Sequence, residues 1–348
     1  MKLIDVANKA GVSVTTVSRV LNGDQNVKTS TRTRVQRAMR ELKYYPNLHA
    51  RSLARGQSKT LGVLVSDLDN PFFLDIYRRF EALAYKTGHD TVVSATHYNP
   101  DQLHASIRSM VGRRVAGIAA FVSEMEPSLV DELSHVEIPV VFYDVGRVGK
   151  RVTNIRLNYK QGIRQLVEHL HMLGHRRMAF IAHPLALPPM EERRATFWEV
   201  TEQLGIAARV VLSHSGVFSG GRGATSELLS SGFEPTAILC VNDVIAVGVL
   251  KELNEQGILV PQQISVAGFD NILLGQFTIP SLTTVHIPRD LIAELAFEAL
   301  ALNQQDSTKQ GQEVLVEPEL ILRKSTGPPN MASYGTATVN SYKQQVSP

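Results

Sequence analysis

Residues Ala10 to Gly23, AGVSVTTVSRVLNG, carry two signals at once. Wound at about 100° per residue, Val14, Val17, Val20 and Leu21 share one stripe of a helix running from about Val14 to Asn22. Thr15, Arg19 and Asn22 lie opposite, with Thr16 and Ser18 flanking. Ser13 stands where its hydroxyl accepts a free backbone N–H of the first turn. Gly11 suits the left-handed exit of a preceding helix, in which Leu3, Val6, Ala7 and Ala10 recur at helical spacing. Helix, glycine-containing turn, helix is the spacing of a helix-turn-helix.

An ordinary helical pair with a polar outer face fits this pattern equally well, and the charge tips the reading toward DNA. Residues 1–60 hold 12 Lys and Arg against three acids, Asp5, Asp24 and Glu41, while the remainder holds 24 bases and 30 acids. A basic head on a mildly acidic body suits a polyanion, although a merely solvated basic face is the plain alternative. On the DNA reading, Arg19 bonds guanine O6 and N7 bidentately, and Val14, Thr15 and Thr16 meet base edges or a thymine methyl. Ser18 and Asn22 are short donors for phosphates, with Thr31 and Tyr44 placed beside them as further phosphate contacts. A third helix is expected, capped by Thr29 or Thr31, buried through Val35, Ala38, Met39 and Leu42, and exposing Arg32, Arg34, Arg37 and Arg40. Pro46 stops it, Asn47 caps a short segment from Leu48 to Ala54, and Gly56 to Ser58 form a linker. That segment is too short to be a stable helix alone and needs DNA or a twin copy.

The run LIDVANKAGVSVTTVSRVLNG…VKTSTRTRVQRAMRELKYYPNLHARSLA resembles the head of the LacI/GalR family of bacterial transcription regulators, in register and without gaps. The resemblance implies that two hinge helices of a dimer fold together in the minor groove. Leu53 of each would wedge into the central base step, with Ala50 and Arg51 beside it. Unstacking one step lets a bent duplex touch more protein.

From Leu61 onward the pattern changes. LGVLVSDL, TVVSATHY, VAGIAAFVS, PVVFYDV, MAFIAH, RVVLSHS, AILCVND and SVAGFD read as strands, alternating with helical stretches such as Phe73–Lys86, Tyr159–Leu173 and Val244–Gln256. Near-continuous apolar strands between helices mean doubly wound parallel sheets, here enough for two lobes, with ligands expected at the carboxyl ends of the strands. The expected fold class is therefore an all-α three-helix head plus hinge helix joined to a two-lobed α/β domain. LGVLVSDLDNPFF, LGHRRMAFI and CVNDVIAVGVLKELNEQGILVPQQISVAGFDN resemble the periplasmic-binding-protein-like effector domain of the same family, whose chain crosses between lobes three times. The expected divisions are a DNA-binding domain at 1–46, hinge and linker at 47–60 and effector domain at 61–326. Within the last, 61–158 and 289–326 form the N-lobe and 159–288 the C-lobe. Residues 327–348, rich in Pro, Gly, Ser and Asn, read as a disordered tail. No leucine heptad of the kind that tetramerises some relatives is seen, so a homodimer is expected.

The resemblance also places an effector site. Phe73 would stack on the ligand, Ser123 would supply a polar contact, and Arg193 would grip hydroxyls or carboxylates. Asn242, Asp243 and Asp270 sit at strand ends facing the cleft, although Asp243 also suits a helix cap and Asp270 a loop-ordering role. Leu157 stands where many relatives carry aspartate, Val145 where a purine-type relative carries tryptophan, and the loop HPLALPPMEE is apolar. Buried ligand hydroxyls need partners, so these departures weaken the case for an ordinary sugar. A sugar, a sugar derivative, a nucleobase or a less polar metabolite stays open, as does control by a protein corepressor or by no small molecule.

Enzyme readings find no footing: G-x-x-x-x-G-K-[ST] and G-x-S-x-G are absent, and GVFSGGRGA reads as a loop. The single cysteine, Cys240, lies in an apolar run; it excludes an intrachain disulfide or a cysteine metal cluster. His169 and His171 lie two apart on a helix and face different ways. No cofactor or metal is expected. The N-terminus lacks an apolar signal core and no run reaches membrane-spanning length, which points to a cytoplasmic, nucleoid-associated protein rather than a solute-binding protein outside the cell.

Overall fold

The computed structural model describes residues 2–45, 58–124, 129, 138–144, 148–305 and 310–330. The expected hinge residues Ala50, Arg51 and Leu53, and Val145, lie outside them. The chain divides into two compact units, one ending at Lys59 and the other starting at Thr60.

The first unit is three helices, α1 (Leu3–Ala10), α2 (Val14–Leu21) and α3 (Thr29–Glu41). Gly11 leaves α1 at φ 61°, and the Ser13 hydroxyl accepts the Thr16 N–H at 3.1 Å to start α2. Val6, Ala7, Ala10, Val17, Val20, Val35 and Ala38 close a small core, whereas Val14 turns outward. Two expectations fail here. Neither Thr29 nor Thr31 caps α3, which begins at Thr29 itself with Lys28 at its uncapped entry. The basic face of α3 is also partly consumed. Arg34 donates to the Ala10 carbonyl (2.6 Å from Nη2) and to the Gly11 carbonyl (2.9 Å), because the end of α1 leaves carbonyls without helical partners. Arg32 donates to the Asp24 carbonyl at 2.8 Å.

The second unit holds two six-stranded sheets. The first comprises β1 (Thr60–Val65), β2 (Asp90–Ala95), β3 (Gly117–Phe121), β4 (Val140–Tyr143), β5 (Val152–Leu157) and β11 (Glu313–Val316), all parallel in the order β11-β5-β4-β3-β1-β2. The second comprises β6 (Arg177–Ala182), β7 (Ala207–Leu212), β8 (Ala237–Cys240), β9 (Ser265–Asp270), β10 (Thr283–His286) and β12 (Glu319–Ile321), in the order β12-β10-β9-β8-β6-β7. Helices α4 (Pro71–Lys86), α5 (Pro100–Gly112) and α11 (Arg289–Gln305) belong to the first lobe. Helices α6 (Tyr159–Met172), α7 (Pro188–Gln203), α8 (Phe218–Ser230), α9 (Asp243–Glu255) and the short α10 (Leu274–Phe277) belong to the second. The chain changes lobe after β5, after β10 and after β11.

Three sequence expectations are corrected here. Residues 319–330 join the second lobe, not the first, because β12 pairs antiparallel with β10 and Ser325 bonds across Thr283 and Val266. Gly327 is no tail: its carbonyl lies 2.9 Å from His175 Nε2 and its N–H donates to Ser265. The segment read as a glycine-rich loop is the start of α8. A Cβ on Gly221 would fall on the Ile245 carbonyl, and one on Gly248 would fall on the Phe218 carbonyl, so these glycines let α8 and α9 close backbone to backbone.

Candidate nucleic-acid interface and interlobe cleft

In the head, burial of Val17 and Val20 forces the other face of α2 outward. Val14, Thr15, Arg19 and Asn22 are exposed there, with Thr16 and Ser18 half-buried at its sides. Arg19 is not a free side chain. Its Nε donates to Asp24 Oδ2 at 2.7 Å, and Asp24 is fixed in turn by the Asn26 N–H at 2.9 Å. Arg19 first, then Asn26, holds the Asp24 carboxyl below its ordinary range. The Thr16 hydroxyl shares a 2.9 Å hydrogen bond with the capping Ser13. Asn22 Nδ2 lies 3.5 Å from Ser18 Oγ. Thr31, in the first turn of α3, and Tyr44, against the head core, are both half-buried.

In the body, the strand ends of both sheets meet across a cleft. On the first lobe, Glu124 is buried and accepts the Ser66 hydroxyl at 2.6 Å, the Ser123 N–H at 3.1 Å and the Thr96 hydroxyl. Three strand ends are tied to one carboxylate in this way, and Ser123 takes part through its backbone. Asp144, after β4, accepts the Leu157 N–H at 2.8 Å and the Tyr159 hydroxyl, and Tyr159 lies 3.1 Å from the Tyr143 hydroxyl. Burial pushes Asp144 up to about 7, against the pull of those two donors. Leu157, which lacks the carboxylate expected of many relatives, contributes its backbone instead.

On the second lobe, Arg193 lies between the rings of Tyr159 (4.4 Å) and Phe269 (4.3 Å). Its Nη1 donates to the Val241 carbonyl at 2.6 Å and sits 3.9 Å from Asp270 Oδ1, while its buried Nε has no partner. Burial raises Asp270 to about 6, opposed by Arg193 and Arg289. Asp270 holds φ at 110°, a conformation that non-glycine residues adopt at a cost and that clusters at functional sites. Arg289 pins this backbone through the carbonyls of Asp270 and Asn271 while its Nε faces Asp75 of α4 at 3.4 Å.

Two expected effector residues have roles in holding the fold. Asn242 caps α9 by accepting the Ile245 N–H at 2.8 Å. Asp243 is fully buried with both carboxylate oxygens occupied, Oδ1 by the Thr284 hydroxyl (2.6 Å) and Oδ2 by the Ile272 N–H (2.8 Å). It is a strut between α9, β10 and the loop after β9, and it is removed from the ligand set. Phe73 is buried at the start of α4, edge-on to Phe72 at 5.1 Å and to Tyr98 at 6.4 Å. Tyr98 in turn meets His183 of the other lobe at 5.6 Å between ring centroids. Sequence reasoning missed Tyr98, Asp144, Tyr159 and Glu124. TVVSATHY had Tyr98 as a strand residue, and nothing local distinguishes a tyrosine that crosses a cleft from one that packs on a sheet.

Residues 2–47 match the model for bacterial regulatory proteins of the lacI family, and residues 167–326 match a periplasmic binding protein-like domain. The HTH-type transcriptional repressor PurR of Erwinia tasmaniensis is 34% identical over 325 residues, spanning 92% of this chain and 95% of the relative. The HTH-type transcriptional regulator GalR of Escherichia coli K12 is 32% identical over 337 residues, 96% of this chain and 98% of the relative. The crystal structure of the Lac repressor dimer bound to operator and the anti-inducer ONPF superposes with a TM-score of 0.80 at 29% identity, covering 94% of this chain and 99% of that one.

Proposed function

The chain belongs to the lacI family of bacterial regulatory proteins, and from that premise we propose how it represses transcription. A homodimer places two copies of α2 in successive major grooves of a pseudo-palindromic operator. Val14, Thr15, Thr16 and Arg19 read bases, and Ser18, Asn22, Thr31 and Tyr44 hold phosphates. Leu53, with Ala50 and Arg51, wedges the minor groove at the centre of the site. The protein works at the nucleoid. The observation that carries the DNA reading is the outward face of α2, whose one guanidinium is steered by Asp24.

A small molecule in the interlobe cleft controls this binding by differential affinity for two lobe arrangements. Arg193 supplies donors and Asp270 acceptors 3.9 Å apart, with Phe73 and Ser123 on the facing lobe. That pairing suits an uncharged metabolite carrying hydroxyl or amide groups on a flat or ring-shaped frame. Operator sequences selected from random DNA, with and without a metabolite library, test both halves. Enrichment of a palindrome that a metabolite then shifts is the expected result; absence of any enriched palindrome contradicts the reading.

A further inference from the structure

Tyr98 touches aromatic side chains of both lobes. Its ring is edge-on to Phe73 at 6.4 Å on its own lobe and 5.6 Å from His183 on the other. The Asn70 amide lies beside its phenol oxygen, and the Asp67, Asp270 and Glu124 carboxylates are near enough to act on it electrostatically. Burial first, then those carboxylates, pushes the phenol upward, so it stays neutral. The residue thus engages Phe73 and the neighbourhood of Asp270, the two sides between which an effector would sit. The backbone is bent to deliver it: His97 and Tyr98 are consecutive non-glycine residues at φ 52° and 57°. His183 is equally prepared, since it is buried, kept neutral, and oriented by the Leu185 N–H donating to Nδ1 at 3.2 Å. Its Nε2 lies where a Cβ on Gly216 would stand.

Topology says what this contact can control. The crossings between lobes follow β5, β10 and β11, each at or next to the same edge of its sheet. Tyr98 follows β2, the strand at the opposite edge of the first sheet, and His183 follows β6, next to the opposite edge of the second. Arg289, at a crossing, ties the lobes at the hinge edge. The Tyr98–His183 pair therefore closes the lip farthest from the hinge, where a change in lobe angle moves atoms most.

We propose that Tyr98 is a built-in occupant of the interlobe cleft, holding the two lobes together across Phe73 and His183, which a controlling small molecule has to displace. This rests on the reading that lobe arrangement controls operator binding. It makes Tyr98 a specificity-determining residue, because the displacing molecule has to better an aromatic ring already in place.

The test uses the full chain and p-cresol, the tyrosine side chain as a free molecule. Tyr98→Ala vacates a ring-sized space, so p-cresol should bind this variant by calorimetry and raise its melting temperature. Wild type and Tyr98→Phe should bind none. Operator affinity should change about two- to tenfold in Tyr98→Ala, the range that one aromatic contact supplies, and p-cresol should move it back. His183→Ala should shift affinity in the same direction, and the double variant should fall short of the summed single effects. Equal p-cresol binding by wild type and Tyr98→Ala, or additive effects in the double variant, overturns the proposal. If Tyr98→Ala does not fold, His183→Ala and Tyr98→Phe carry the test: wild-type operator affinity in His183→Ala overturns it. Selective p-cresol binding with no change in operator affinity supports the occupant and instead sinks control through the cleft.

Discussion

Arg19 Nε and Asp24 Oδ2 lie 2.7 Å apart, so the guanidinium on the outward face of α2 is held in one direction by its neighbour. An exposed ion pair of this kind adds little to stability. Under the proposed base-reading role its value lies in orientation, since a fork-shaped donor reads guanine only when both arms are aligned. Arg19→Ala should lower discrimination at one base pair per half-site by roughly tenfold to a hundredfold. Asp24→Ala should lower it less at the same position, while affinity for random DNA rises because an acid has left a basic surface. Anisotropy titrations against single-base operator variants check both. An equal loss on every sequence after Arg19→Ala contradicts base reading.

Ser13 starts α2 by accepting the Thr16 N–H. Ser13→Ala should cost about 1 kcal/mol and Ser13→Gly only a few tenths. Amide exchange across α2 is the readout, with protection lost there first.

Asp243 accepts from Thr284 and Ile272 in a fully buried site, and burial raises it to about 8. Asp243→Ala strands a hydroxyl and an N–H and should cost about 2–5 kcal/mol. Asp243→Asn keeps one acceptor and should cost less. Chemical denaturation distinguishes this strut from a ligand residue, whose loss would spare stability and reduce effector binding.

Gly248 admits the Phe218 carbonyl where a Cβ would stand, so Gly248→Ala should push α8 from α9 at about 1–3 kcal/mol. Gly223, on α8, faces only the tip of His214, and Gly223→Ala should be neutral or stabilising by up to about 1 kcal/mol. Denaturant midpoints of the two variants should move apart.

Burial lowers the folded imidazole of His175 from 6.5 to about 4, and that of His183 likewise. As pH falls the unfolded chain binds these protons first, so their contribution is complete above about pH 6.5 and is lost between there and about pH 4. Asp270 and Asp144, raised to about 6 and 7, run the other way and weaken the fold as pH rises through those values. His175→Gln should flatten the acid side of a melting-temperature profile; an unchanged slope would show that His175 does not set it.

The head and the layering of the body follow from the order of residues alone. Val6, Ala7, Val17 and Val20 repeat at helical spacing, and the apolar runs of the two sheets are too continuous for anything but strands covered on both faces. Those signals are local: a 3.6-residue period in the helices and unbroken apolar runs in the strands. Tertiary structure alone decided which polar groups remained available. Arg34 looked like part of a basic face and is spent on the end of α1; Asp243 looked like a ligand and is a strut. The glycines of α8 looked like a loop and are a helix contact, and Tyr98 looked like a strand residue and spans the cleft. The reason is that a charge or a ring is defined by its nearest partner in space. Here those partners lie 24 residues away for Arg34, 41 for Asp243 and Thr284, and in the opposite lobe for Tyr98, distances over which no sequence period reaches.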